Sequence, residues 1–218
     1  MFITRKDLQF LPKEGFYHSA SNRCYNAPGF SAIMRHGEED WTKTYDKTKL
    51  KKAVARGKGF DDAVQAYYDE LAYCDLENKP LLQSAMPFLD QIQPIAQEIF
   101  VFGKICELPV LGFIDAIANV PDKGLTLIDW KTKASSNFNP LPLERYLLQI
   151  SVYAILVQMY YDIVIEQSCI FIAFASGEPH KIIWLDRQDM LDRLTTFFTK
   201  AHRYKQDKAI AWRGEYSL

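Results

Sequence analysis

No apolar run in this chain approaches the roughly 20 residues that a bilayer-spanning helix needs. The N-terminus, Met1-Phe2-Ile3-Thr4-Arg5-Lys6-Asp7, lacks both the apolar centre of a signal peptide and the Arg-rich amphipathic pattern of a transit segment. The expected setting is therefore a reducing cytoplasm, with no membrane partner. Cysteine is scarce: Cys24, Cys74, Cys106 and Cys169 stand far apart, without zinc-knuckle spacing and without a C-terminal cluster for an iron–sulfur centre. They read as small buried residues. Net charge is also small, −1 over 218 residues, so the sum alone does not attract a polyanion. Internal repeats and low-complexity linkers are missing. The length suits one well-filled domain over residues 1–218, with a helical N-terminal elaboration over about 1–95.

The charge is unevenly distributed. Lys43 to Lys58 holds seven basic residues (Lys43, Lys47, Lys49, Lys51, Lys52, Arg56, Lys58) against Asp46, and Lys200, Arg203, Lys205, Lys208 and Arg213 stand against Asp207. Either run alone reads as a solvated helix face. Two of them around an acidic constellation suit a groove that binds a phosphate backbone. The nearby aromatics Trp41, Tyr45, Tyr204 and Trp212 suit stacking on unpaired bases, or core packing.

Gly, Pro, Asn and Ser crowd the first 45 or so residues, with a turn at Asn26-Ala27-Pro28-Gly29, which predicts irregular chain with a short strand or helix. Lys47 to Tyr73 predicts a helix broken near Gly57-Lys58-Gly59, with Val64, Tyr67, Tyr68 and Leu71 at helical spacing in its second half. Pro80 to Pro94 reads as a connection with about one helical turn. Strand-like runs follow at Glu98 to Cys106, Val110 to Asn119 and Leu125 to Thr132, the last two joined by Pro121-Asp122-Lys123-Gly124 into a hairpin. Next come a helix from about Leu143 to Tyr161, strands Gln167 to Ala175 and Lys181 to Leu185 around Ser176-Gly177-Glu178-Pro179, and an amphipathic helix from Arg187 to about Lys205. This order predicts an α/β fold, a mixed sheet covered by helices.

Three groups of residues interrupt the apolar patterning: Gly112-x-x-Asp115, Asp129-Trp130-Lys131 and Gln149-x-x-x-Tyr153. Period-two alternation puts Leu125, Leu127, Asp129 and Lys131 on one face and Trp130 on the other, and puts Asp115 with Phe113 and Ile117. Hairpin pairing brings Asp115 towards Asp129. Two such carboxylates repel until a hard cation joins them. A magnesium- or manganese-type ion on Asp115, Asp129 and the Trp130 carbonyl can polarise a phosphate and acidify a water. Lys131 can then orient that water or neutralise developing charge. Gln149 and Tyr153 share a helix face, one turn after Arg145. They can contact a phosphate or hold Lys131, or they can bond to each other inside the fold.

Together these residues resemble the PD-(D/E)XK nuclease superfamily, specifically its RecB-like branch, which includes phage exonucleases and the mitochondrial genome-maintenance exonuclease. Gly112-Phe113-Ile114-Asp115 is similar to the Gly-x-x-Asp strand, Ile128-Asp129-Trp130-Lys131-Thr132 to the Asp-x-Lys strand, and Gln149 with Tyr153 to the helix motif. Arg23-Cys24-Tyr25 with Pro28 to Met34 resembles the start of the phage and mitochondrial group. Arg56-Gly57 with Asp61-Asp62-Ala63-Val64 resembles an Arg-Gly…His helix, although Asp61 stands where relatives have a metal-binding His. The resemblance implies a restriction-endonuclease-like mixed β-sheet flanked by helices. It also implies catalytic roles for Asp115, Asp129, Lys131, Gln149 and Tyr153, and Mg²⁺ or Mn²⁺ completed by Asp61 or Glu98, with no iron–sulfur cluster.

The expected activity is metal-dependent DNA exonuclease, from single-stranded or frayed ends, in replication, recombination or repair. An endonuclease of the same superfamily and a catalytically silent DNA-binding module are the alternatives. Near-neutral charge predicts modest, salt-sensitive DNA affinity, helped by a partner such as a polymerase or helicase. A stand-alone chain of this size is the kind that phages and mobile elements encode, acting then in the host cytoplasm.

Overall fold

The computed structural model describes residues 2–11, 16–19, 24–25, 27–38, 46–69, 79–137 and 141–208. Five strands form the main sheet: β4 (Gln93–Ile105), β5 (Leu108–Val120), β6 (Gly124–Lys133), β7 (Gln167–Phe174) and β8 (Lys181–Asp186). Their spatial order equals their chain order. All neighbours pair antiparallel except β6 and β7, which are parallel and therefore need a crossover. Helix α4 (Leu141–Tyr161) supplies it. The result is a mixed α/β fold, a five-stranded sheet flanked by helices, consistent with a restriction-endonuclease-like architecture.

Two apolar clusters hold helices on the two faces. On one face, α1 (Phe30–Met34), α4 and α5 (Arg187–Lys208) bury Phe30, Leu147, Ile150, Val157, Leu194 and Phe197 against Ile99, Ile114 and Leu127. On the other, α2 (Lys47–Tyr68) and α3 (Lys79–Leu89) bury Phe60, Val64, Leu81 and Phe88 against Ile128, Trp130 and Phe171. Aromatic rings concentrate at this second contact. Phe171 is fully buried, with Trp130, Phe88 and Phe60 centroids 5.4, 5.2 and 6.4 Å away.

Several expectations are corrected. Helix α2 runs through Gly57-Lys58-Gly59 without a break. Asp46 caps it by accepting from the Thr48 and Lys49 amides at 2.8 and 3.3 Å, and Phe60 anchors it just past the glycines. Glycine weakens a helix by about 1 kcal/mol without ending it. The expected end at Tyr73, with Leu71, lies outside the described residues. The Pro80–Pro94 connection contains an eleven-residue helix, because Leu81, Ala85, Phe88 and Leu89 form one apolar stripe. Pro80 sits in its first turn, where a missing amide costs least; Pro87, inside the last turn, forfeits one helical bond, and the helix ends two residues later. The N-terminal part is not only helical: β1 (Leu8–Leu11), β2 (Phe16–Ser19) and β3 (Cys24–Tyr25) form a small antiparallel sheet.

Cys169 is buried, but Cys106 is exposed: with Glu107 it makes the two-residue β4–β5 turn, both at positive φ. Cys74 and the Cys24 side chain lie outside the described residues. Among those residues no helix is long and apolar enough to cross a membrane.

Replacing Phe171 with Ala should lower unfolding free energy in urea by about 3–5 kcal/mol, because its neighbours are rigid rings that collapse poorly into the void. A loss below about 1 kcal/mol would contradict the packing described.

Candidate active site

The β5–β6 ladder ends at Ala116↔Ile128. One step further that register would set Asp115 opposite Asp129. Here the strands part instead, and Asp115 Oδ2 accepts the Trp130 amide at 2.8 Å. A carboxylate oxygen thus replaces the missing backbone acceptor. On the other side of β5, the β4 ladder pairs Gln97 with Ala116 and Ile99 with Ile114, passing over Glu98 and Asp115. Glu98 has φ +51°, a left-handed conformation strained for a glutamate. Side-chain alternation slips at this point. Ile114 and Ile117, three residues apart, both join the cluster under α4, while Ala116 joins the one under α2 and α3. The expected common face for Phe113 and Ile117 is therefore wrong: Phe113 packs against Phe100 in a third cluster.

Asp115 and Glu98 open into a cavity of about 650 Å³ between the sheet and α2, lined also by Arg5, Gly57, Lys58, Asp61, Asp62 and Trp130. Asp129 follows Leu127 on the α4 side and is 4% exposed. Lys131 Nζ stands 2.5 Å from Asp129 Oδ2 and donates to the Trp130 carbonyl at 3.2 Å. Its ammonium also lies 5.1 Å from the centre of the Tyr146 ring.

Negative charge exceeds what these partners neutralise. Burial pushes the Asp115 and Asp129 carboxyls above the usual carboxylate range, against the pull of Lys131. Asp61, carried on α2, is pushed up to about 8 by burial first and then by Asp115, with smaller contributions from Glu98 and Asp129 against Lys131. Glu98 is also raised by burial, with Arg5 opposing. Burial disfavours the Lys131 ammonium, yet Asp129 and Asp115 hold it above the ordinary lysine range.

Whether these residues suit a metal ion divides into chemistry and placement. All the donors are oxygens, the carboxylates are under-neutralised, and Asp129 Oδ2 is buried without an aligned hydrogen bond, which fits a hard divalent cation. As placed, no three His, Cys, Asp or Glu among the described residues converge tightly enough to hold one. The Trp130 carbonyl is engaged by Lys131, and Glu98 Oε2 is paired with Arg5 Nε at 2.6 Å.

The third group arrives on α4. The Tyr153 ring lies over Gly112: a Cβ at position 112 would fall 2.5 Å from Tyr153 Cε1 and 2.9 Å from its hydroxyl. Gln149 Nε2 donates to that hydroxyl at 3.2 Å. Burial pushes the Tyr153 phenol up to about 12, so it stays protonated. The glycine of the first group and the tyrosine of the third are thus two halves of one contact, 41 positions apart in the chain. Arg145 faces elsewhere, into a groove lined by Met34, Glu38, Arg193 and Thr196.

Reading the sequence missed Tyr146 and Arg5. Tyr146 also receives Lys133 Nζ at 3.2 Å, so one phenol serves both lysines of the Lys131-Thr132-Lys133 end. Its i, i+3, i+7 spacing with Gln149 and Tyr153 was the available signal. Arg5 carried none. Arg56, noted only for charge and resemblance, reaches Thr132 Oγ1 at 3.4 Å and ties α2 to β6.

The two basic runs occupy opposite faces of the sheet. On α2, Lys47, Lys49, Lys51 and Lys52 are exposed and pair with no described acid, and the helix leads into the cavity. On α5, Lys200 pairs with Glu38 and Arg203 with Asp207. Tyr204 packs edge-on to His36, away from the carboxylates. Trp41, Lys43, Tyr45, Trp212 and Arg213 lie outside the described residues.

No protein-family model and no curated protein matches this sequence. Among solved structures, the fold is similar to a candidate exonuclease from Eubacterium rectale, at TM-score 0.54 and 12% identity over 76% of this chain and 71% of that one. Likeness to the protein SSO0001, at TM-score 0.38 and 18% identity over 61% of this chain and 57% of that one, is too slight to carry weight. What is shared with the first of these is the fold alone.

Gly112→Ala should destabilise the chain by about 1–3 kcal/mol, read from chemical denaturation. Shortening Tyr153 to Ala in the same chain should return part of that loss, a coupling that a double-mutant cycle measures. Strict additivity would contradict the contact.

Proposed function

We propose that this chain is a metal-dependent DNA exonuclease of the RecB-like PD-(D/E)XK type, acting from single-stranded or frayed ends in replication, recombination or repair. One observation carries the reading. Asp115, Asp129 and Lys131 gather where β5 and β6 part, with more carboxylate charge than Lys131 neutralises. The fold it shares with the Eubacterium rectale protein supports the same class.

Asp61, Asp115 and Asp129 would hold Mg²⁺ or Mn²⁺, which supplies charge to polarise the scissile phosphate and acidify water. The chain's own residues do the rest. Lys131, steered by Asp129, the Trp130 carbonyl and the Tyr146 ring, presents a permanent cation to charge developing on the phosphate. Asp115 holds the Trp130 amide, so the carboxylates and the lysine keep one spacing. Gln149 and Tyr153 back this strand end from α4, and the exposed lysines of α2 would guide the nucleic-acid backbone to it. A replication or recombination protein would supplement this modest charge.

Asp115→Ala, Asp129→Ala and Lys131→Ala should each reduce Mg²⁺-dependent degradation of end-labelled single-stranded DNA by at least about 10²-fold, with melting curves still cooperative. EDTA should stop the wild-type protein. Wild-type activity in the Asp129 variant would sink the proposal. Cleavage of circular single strands would mark an endonuclease instead.

That no three-ligand group stands ready among the described residues favours one other reading, a silent DNA-binding module. It predicts DNA binding with no Mn²⁺ stoichiometry in calorimetry.

A further inference from the structure

Resting on the nuclease reading, we infer that Arg5 is a phosphate-binding residue of the cavity and that Glu98 serves to position it. Among the described residues, Arg5 and Lys58 are the cationic side chains lining that cavity, against Asp61, Asp62, Glu98 and Asp115. The Arg5 guanidinium is held at two points. Its Nε stands 2.6 Å from Glu98 Oε2, and its central carbon lies 4.3 Å from the centre of the Phe113 ring. Glu98 is its one ion-pair partner among the described residues, and the side chain is 59% exposed. A guanidinium held by a carboxylate at Nε and by a ring face, and still more than half exposed, is placed to offer its planar donors to a phosphate.

The backbone is arranged to the same end. Residues Arg5–Asp7 form a single 3₁₀ turn, with Thr4 bonded through its amide and hydroxyl to Asp7 at 2.7 and 2.8 Å. Thr4 bridges to Ile99, Ile3 accepts the Phe100 amide at 2.8 Å, and Tyr161 donates to the Phe100 carbonyl at 2.6 Å. The turn is thereby pinned along the edge of β4, beside the carboxylate that meets Arg5. Glu98 adopts its strained backbone at this one step, turning its side chain out of the alternation and into the cavity. The strained step delivers a half-buried carboxylate to Arg5, and backbone strain of this kind clusters where side chains are held for a ligand.

The test is binding of a fluorescent single-stranded oligodeoxynucleotide of about 12 nucleotides, in Ca²⁺ and in EDTA, from about 50 to 200 mM salt. Arg5→Gln should bind about tenfold more weakly, with a salt slope shallower by about 0.7, and Arg5→Lys should fall between it and wild type. Glu98→Ala should weaken binding in the same way and add little to Arg5→Gln, while leaving Mn²⁺ affinity unchanged. Wild-type affinity and slope in Arg5→Gln would overturn the assignment, as would loss of Mn²⁺ binding in Glu98→Ala. Failure of the wild-type protein itself to bind the oligonucleotide would overturn the nuclease reading, and this inference with it.

Discussion

The Tyr153 ring resting on Gly112 is the contact on which the rest of the site depends. It lets α4 approach β5 closely, with Gln149 bonded to the Tyr153 hydroxyl and Tyr146 reaching the lysines at the end of β6. Any side chain at position 112 would push the helix off the sheet, and Lys131 would lose the ring above its ammonium. Tertiary packing, rather than local chain preference, therefore sets where the lysine points.

A second constraint is electrostatic. The parting of β5 and β6 leaves a backbone amide without a strand partner, and Asp115 supplies the acceptor. That bond places one carboxylate between the Asp129–Lys131 pair and the cavity that holds Asp61 and Glu98. The site is thus divided by β6, with Asp129 and Lys131 on the α4 side and the cavity acids towards α2. A charge-neutral ligand would leave this arrangement under-compensated; a cation with a phosphate would balance both halves.

The order of strands and helices from Gln93 onward was legible because alternation and helical spacing are strong there, and the turn at Pro121–Gly124 is written in its residues. Prolines obscure helix α3 in the sequence, although Leu81, Ala85, Phe88 and Leu89 form a clean apolar stripe. Two glycines suggest a break in α2 that the anchoring of Phe60 overrides. The three chemical groups could be named, but not their geometry. Strict alternation cannot anticipate the slip at Glu98 and Asp115, where one strand carries a residue at positive φ and a register shift between Pro94 and Ala96. Arg5 was invisible for a different reason: nothing in a lone arginine near a chain start says which strand edge will pin it.

The parallel β6–β7 pairing has a further consequence for how firmly each part of the site is held. Asp129 and Lys131 stand on a strand paired through Lys133 to β7, which is itself paired on both sides, so their anchorage is shared with the centre of the sheet. Arg5 rides on one 3₁₀ turn at the sheet's outer edge, where local opening is far easier. Lys131 and Arg5 thus belong to different tiers of stability. A mutation that merely loosens the N-terminal turn would free Arg5 and Glu98 while Lys131 kept its place.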